Sequence, residues 1–332
     1  MPVTGQVRWG ILGTAGIARS AFLPGVREAG GRAQAVASRD LTRAKEYAAA
    51  NGIDRATEGY QALIEDPLVD ALYIALPNSL HAEWTIQALG AGKAVLCEKP
   101  LCGSVPQTQE VLGVARETGT LLWEAFVFPF QDQMQRIHRL IADGAIGDVR
   151  EIQSNFHFRL EDPTDIRMVT SLAGGSLNDV GCYPVRLARE VLGAEHEWAW
   201  ATAQSGGDGV DVEMQGILGF PGARKLLLSC GFRRSLDRYA RIMGTAGQIN
   251  ITSPFHPRSH DTFQLNADGK APVDFPAAGS EAPFTAAIKH IEAVLRGTER
   301  PRFLAVDTSL GNAQALADLR ESAARGAVLD EG

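Results

Sequence analysis

Ala94, Val95, Leu96 and Cys97 form an apolar run that stops at once on Glu98, Lys99 and Pro100. A run so short and so apolar reads as a strand buried on both faces. Proline cannot continue a central strand, so the chain must leave the sheet there, through a bond of the one type that readily tolerates cis. The same construction recurs along the first third of the chain. Residues 7–12 are apolar apart from Arg8 and end on Gly13, residues 32–37 end on Ser38 and Arg39, and residues 70–76 end on Pro77 and Asn78. A further strand is expected at 121–123, and helical patterns separate the runs, one of them over 105–118. Strands alternating with helices need right-handed crossovers and make one parallel sheet. In such sheets ligands bind at the carboxyl ends of the strands. A lone Glu-Lys pair would be a surface ion pair; the repetition turns Lys99 into an edge residue of a binding sheet.

The first of these turns has the most chemical content. Gly13, Thr14, Ala15, Gly16, Ile17 and Ala18 follow the first strand and open a helix, the context that gives a dinucleotide-binding fingerprint its meaning. Gly13 permits the tight turn, Ala15 is small enough for a pyrophosphate to approach, and Ala18 lets the helix lie close to its strand. Free N–H groups of the helix start would face the phosphates. The fingerprint is relaxed, with alanine at its second and third glycine positions. Ser38 and Arg39 end the second strand where NAD-binding chains place an acid for the ribose and NADP-binding chains a base for the 2′-phosphate. Asp40 competes for that role, but it precedes Leu41 and Thr42 and reads as a helix N-cap. The expected cofactor is therefore NADP(H), with NAD(H) as the alternative.

The chain has 332 residues, enough for two domains, with 45% hydrophobic and 21% charged residues, as in an ordinary globular protein. Net charge is −7 without a block of like charge, which argues against nucleic acid or a membrane surface as partner. No apolar run reaches the roughly 20 residues a spanning helix needs. The first residues lack the pattern of a signal peptide. The four cysteines, Cys97, Cys102, Cys182 and Cys230, lack metal-ligand spacing and read as reduced packing residues, so no metal site is expected and a cytoplasmic location is.

Strict alternation ends after Glu124. A helix at about 131–143 leads to a strand at 149–158 and a polar loop carrying Asp165 and Arg167. Gly174 and Gly175 then open a helix running to about Leu192, on which Asp179 and Tyr183, four apart, share a face. A structural tyrosine–carboxylate pair has the same spacing. From 198 to 275 the turn signals imply a mostly antiparallel sheet, whose arginines Arg233, Arg234, Arg238 and Arg241 suit either an exposed face or a phosphorylated substrate. Helices at about 284–296 and 307–325 close the chain. The expected fold is α/β: an N-terminal Rossmann domain, 1–124, and a C-terminal α+β domain, 125–332, with a large antiparallel sheet. The last helix is a candidate to pack back on the first domain.

The runs from Leu76 to His81 and from Ala91 to Pro100 resemble the Gfo/Idh/MocA oxidoreductases, and so does the pattern Gly-Gly-x-x-x-Asp-x-Gly-x-Tyr ending at Tyr183. The resemblance extends through residues 242–249 to the terminal helix. It implies that Lys99 lies beside a nicotinamide and the reacting hydroxyl, with Asp179 and Tyr183 completing the constellation. Cofactor-binding residues would be Gly13, Thr14, Ala15, Gly16, Ile17, Ser38, Arg39, Leu76, Pro77, Asn78, His81, Glu98 and Lys99. Substrate would meet Lys99, Arg167, Asp179 and Tyr183. Phe128, Pro129 and Phe130 stand where some relatives carry a basic residue, which bears on the substrate.

Hydride transfer needs a cofactor, a group to move the hydroxyl proton and a charge for the oxyanion. Tyr183 is the expected general acid/base; its ordinary pKa of about 10 requires a nearby cation, which Lys99 supplies. Alternatively Lys99 exchanges the proton and Tyr183 positions it. Polar residues around Asp179, among them Asn78, His157, Arg159 and Arg167, suit a sugar or nucleotide-linked sugar. Within the family the resemblance is equally to deoxysugar ketoreductases and to NADP-dependent xylose and dihydrodiol dehydrogenases. A homodimer or homotetramer is implied. A sensor of the same fold, binding cofactor without turnover, is the alternative function; loss of the lysine or tyrosine would mark it, and both are present.

Overall fold

The computed structural model describes residues 2–277 and 282–330. In chain order the helices are α1 (Leu23–Ala29), α2 (Leu41–Asn51), α3 (Tyr60–Ile64), α4 (His81–Gly90), α5 (Val105–Thr118), α6 (Asp132–Ala142), α7 (Cys182–Leu192), α8 (Thr285–Leu295) and α9 (Ala305–Arg325). The chain divides into two compact units, Met1–Phe130 with Glu281–Leu310, and Gln131–Ser280 with Gly311–Gly332. Among the described residues no helix is long and apolar enough to cross a membrane.

The first unit is built on a parallel sheet of β1 (Arg8–Leu12), β2 (Arg32–Ser38), β3 (Arg55–Glu58), β4 (Ala71–Ile74), β5 (Ala94–Cys97) and β6 (Leu122–Glu124). Their spatial order is β3-β2-β1-β4-β5-β6, the doubly wound arrangement whose order reverses beside β1. Both faces are covered, one by a core containing Trp9, Phe22, Tyr73 and Trp123, the other by Leu12, Ile74, Val95 and Leu112. The short strand β3 carries no apolar run, because it is an edge strand and half-exposed, and sequence periodicity passes over it.

The sequence reading cut the chain once, after residue 124, whereas the first unit runs on to Phe130 and takes back residues 281–310. The reason is apolar burial. Phe284, Ile288 and Ile291 belong to the same core as Trp9 and Phe22, and Phe130 packs on the rings of His290 at 5.3 Å and Phe303 at 5.0 Å. Helix α9 begins in this unit and continues into the second.

The second unit carries a nine-stranded sheet of β7 (Val149–Arg159), β8 (Trp198–Ser205), β9 (Asp211–Phe220), β10 (Arg224–Gly231), β11 (Arg233–Gly244), β12 (Gly247–Ile251), β13 (Thr262–Ala267), β14 (Val273–Pro276) and β15 (Leu329–Asp330). The order is β14-β13-β12-β11-β7-β10-β9-β8-β15, antiparallel throughout except for the β7–β10 pair. All four cysteines are buried, and burial pushes the Cys102 thiol up to about 12, as suits a packing residue.

Candidate active site

The register of the parallel sheet decides where the functional turns emerge. Leu12 pairs with Ala37 on one side and Ile74 on the other, and Ile74 pairs with Cys97. The residues that follow, Gly13, Ser38, the 75–78 turn and Glu98-Lys99, therefore leave the sheet along one edge. Gly13 has φ 98°, and its N–H donates to Ala37 O at 3.0 Å. A Cβ at Gly13 would stand 2.6 Å from Ala75 O, so only glycine fits. At Gly16 a Cβ would meet nothing within 4 Å, so packing does not require this glycine. It leaves the start of the helix uncovered, as a phosphate-binding loop needs. Thr14 and Ala15 are half-buried, Ile17 is exposed, and buried Ala18 seats the helix on its strand. The helix opens with a π-helical turn, Ala18–Phe22. Tyr47 on α2, absent from the sequence-derived site, donates its hydroxyl to Ala15 O at 2.9 Å and holds the loop from behind.

At the end of β2, Asp40 caps α2, its Oδ1 accepting from Thr42 N at 2.8 Å and Arg43 N at 3.2 Å. Ser38 is buried and its hydroxyl oxygen accepts from Asp40 N. Arg39 is exposed, and among the described residues no hydrogen bond or ion pair engages its guanidinium.

His81, which the resemblance assigns to the cofactor, has a fully buried ring. Nε2 faces Leu76 O and Nδ1 faces Pro100 O, each at 2.9 Å. It ties the turn after β4 to the turn after β5 and presents nothing outward. Burial pushes its pKa down against the pull of the two carbonyls. Leu76 is buried, whereas Pro77 and Asn78 are half-exposed on the edge itself.

The Lys99–Pro100 bond is cis, and Lys99 is half-buried. Backbone atoms on either side of the lysine are held by carboxylates. Glu98 accepts the Tyr73 hydroxyl at 2.5 Å and Lys99 N at 3.2 Å. Buried Glu124 accepts Leu101 N at 2.8 Å and the Ser309 hydroxyl at 2.6 Å. Tyr73, Glu124 and Ser309 have no motif signal; they lie far apart in sequence.

In the second unit, Leu177–Gly181 winds as a π-helical turn before α7, a form found often at functional sites. Asp179 lies in that turn and Tyr183 in the first turn of α7. Arg167 Nε stands 3.5 Å from Asp179 Oδ2, an ion pair the sequence did not announce. Several contacts shape the turn. Asp211 accepts the Ser176 hydroxyl at 2.6 Å and Leu177 N at 2.7 Å, and burial raises its pKa despite both bonds. Arg320 donates to Asn178 Oδ1 at 2.8 Å. Gly181 is required for close packing, since a Cβ would stand 2.8 Å from Cys230 Sγ. Tyr183 is buried within an aromatic wall of Phe156 (5.6 Å between centroids), Phe255 (5.0 Å) and His256 (5.4 Å). His157, expected near a sugar, is instead fully buried with Nε2 2.8 Å from Ser229 Oγ, while Arg159 is exposed.

This architecture defines a nucleotide-binding oxidoreductase class, and comparison with known proteins narrows it. Residues 7–126 match the family described as "Oxidoreductase family, NAD-binding Rossmann fold", and residues 134–250 match the "GFO/IDH/MocA C-terminal domain". D-xylose 1-dehydrogenase (NADP(+)) 2 of Haloferax volcanii is 35% identical over 97% of this chain and 99% of its own. The dTDP-3,4-didehydro-2,6-dideoxy-alpha-D-glucose 3-reductase of Streptomyces violaceoruber is 37% identical over 76% of this chain and 74% of its own. A crystal structure of a 3-ketoreductase from Actinomadura kijaniata with NADP and TDP-benzene superposes with a TM-score of 0.87 at 31% identity, covering 96% of this chain and 98% of that one. The chain belongs to the Gfo/Idh/MocA family of NAD(P)-binding oxidoreductases.

Proposed function

We propose that this chain transfers a hydride between NADP(H) and a hydroxyl or ketone of a sugar or nucleotide-linked sugar, with Lys99, Tyr183 and Asp179 as its reacting and orienting groups. The observation that carries the reading is the register of Leu12, Ala37, Ile74 and Cys97, from which the glycine loop, Arg39, Asn78 and Lys99 all depart along one sheet edge. Relatives that reduce a dTDP-linked keto-sugar or oxidise D-xylose with NADP support the substrate class. Solved structures of the Actinomadura ketoreductase include variants in which a lysine or a tyrosine is replaced, the two residue types assigned here.

The loop Gly13–Ile17 offers backbone N–H groups to the pyrophosphate. Arg39 meets the 2′-phosphate, because Asp40 is spent on α2 and cannot oppose it. Leu76, Pro77, Asn78 and Glu98 line the same edge. The nicotinamide, when bound, supplies or accepts the hydride. Lys99 stabilises alkoxide character on the substrate oxygen. Tyr183 moves the hydroxyl proton; Lys99 exchanging it directly is the other route. Asp179, held by Arg167, accepts a substrate hydroxyl and orients it.

Fluorescence titration with NADPH and NADH, followed by a turnover screen over aldoses and nucleotide-linked keto-sugars, tests the reading. Arg39→Ala is expected to weaken NADPH about 10- to 100-fold, the scale of a charge-assisted hydrogen bond, and to leave NADH unchanged. Full turnover in Lys99→Met would overturn the assignment of chemistry.

A further inference from the structure

A cleft of about 260 Å³ in the second unit is lined by Leu236, Asp237, Arg238, Thr252, Ser253, Arg258 and Asp261. Arg238 pairs across the ladder with Phe156, and cross-strand partners share a face. Phe156 in turn packs on Tyr183. The cleft therefore adjoins the aromatic wall that holds Tyr183.

Its four charged residues balance formally, but their hydrogen-bonding capacities do not. Asp237 accepts from Asn155 Nδ2 at 2.5 Å. Asp261 accepts from Arg258 N at 2.8 Å and from the Ser253 side chain. Among the described residues no hydrogen bond or ion pair engages either guanidinium. Arg238 is half-buried; burial disfavours its charge most, Arg258 nearby adds to that, and Asp261 opposes both in part. Two guanidiniums of like charge with unused N–H donors, flanked by the hydroxyls of Thr252 and Ser253, suit an anion with several acceptor oxygens. Whole small ligands usually fill about 300–1,000 Å³, so this smaller space suits a substituent rather than an entire substrate.

We propose that the Arg238–Arg258 cleft binds the phosphate or diphosphate group of the substrate, so that the sugar presented to Tyr183 is phosphate-linked and not a free aldose. The proposal rests on the reading of Tyr183 as a substrate-facing group. Calorimetric titration of the NADP+-saturated protein with inorganic pyrophosphate, and separately with a nucleoside diphosphate, tests it; cofactor saturation keeps the glycine loop from taking the probe. Both probes are expected to bind. Arg238→Gln and Arg258→Gln should each weaken them at least tenfold, the exposed Arg258 keeping the test decisive if Arg238→Gln does not fold. Arg241→Gln removes the same charge from the other face of β11, where Arg241 contacts Asn250, and should change binding less than twofold.

Tighter binding of the nucleoside diphosphate than of pyrophosphate assigns a nucleotide-linked sugar; equal binding assigns a sugar phosphate. Absence of binding, binding unchanged in the Arg238 and Arg258 variants, or equal weakening in Arg241→Gln would overturn the proposal, the last marking an adventitious ion only. Lys99→Met separates the two levels. If it keeps turnover while Arg238→Gln loses pyrophosphate, the chemistry is misassigned and the cleft stands. If it loses turnover while the cleft variants bind normally, the cleft falls and the chemistry stands.

Discussion

The two segments that carry the proposed reacting groups are held by different physics. Around Lys99 the holding groups grip backbone atoms, and His81 and Glu124 among them are buried. His81 faces the carbonyls of Leu76 and Pro100, Glu124 takes Leu101 N, and Glu98 takes Lys99 N. Around Asp179 the grip falls largely on side chains. Arg167 meets Asp179 itself, Arg320 meets Asn178, and Asp211 meets Ser176 as well as Leu177 N. Fixing backbone sets where a loop runs and leaves the lysine side chain to its own rotamers. Fixing side chains sets the direction of the functional group directly, and for Asp179 it does so through an ion pair with Arg167 that solvent and salt reach.

The largest expected effect tests whether the two segments serve one reaction. Lys99→Met should lower kcat about 10³-fold and Tyr183→Phe about 10²-fold, with NADPH affinity held within a few-fold. Steady-state rates and cofactor titration on the same preparations check this. A loss confined to one of the two variants would break the pairing.

Removing a buried backbone grip should cost more stability than removing an exposed ionic one. His81→Ala removes the one N–H that a neutral imidazole donates and leaves a buried carbonyl without it, at about 1–3 kcal/mol, so Tm should fall by roughly 2–5 °C. Arg167→Ala removes a contact whose arginine is 42% exposed, worth less than about 1 kcal/mol, and calorimetry should find Tm nearly unchanged. Equal losses in the two variants would erase the distinction.

The smallest effect is a pH dependence. His81 has its folded pKa depressed, so as pH falls below its ordinary value of about 6.5 the unfolded chain takes up the proton first. The stability His81 contributes is present above that pH and lost on acidification. Denaturant melts of wild type and His81→Gln should therefore converge between pH 7 and pH 5, and a constant gap would contradict the assigned shift.

Much of this could be read from sequence where a local rule governs. The strand ends at Gly13, Ser38, Pro77 and Lys99, the Asp40 cap and the antiparallel second sheet each follow from a short pattern. His81 shows what such reading leaves out. Its place beside Pro77 and Asn78 suggests a ligand contact, and only the fold adds that two carbonyls 24 residues apart, those of Leu76 and Pro100, converge on its ring.

Sequence alone determined the alternation that makes a parallel sheet and the edge on which its turns lie, and it named the lysine, aspartate and tyrosine proposed here as the reacting groups. Periodicity and turn chemistry are local properties, and local properties are written in neighbouring residues. Tertiary structure decided the rest. Residues 281–310 rejoin the first unit, Glu124 and Ser309 meet beside Leu101, and Arg238 faces a cleft that Arg258 completes. These depend on which apolar faces must be buried together and which buried polar groups must find partners, and such demands are met by residues that only folding brings into contact.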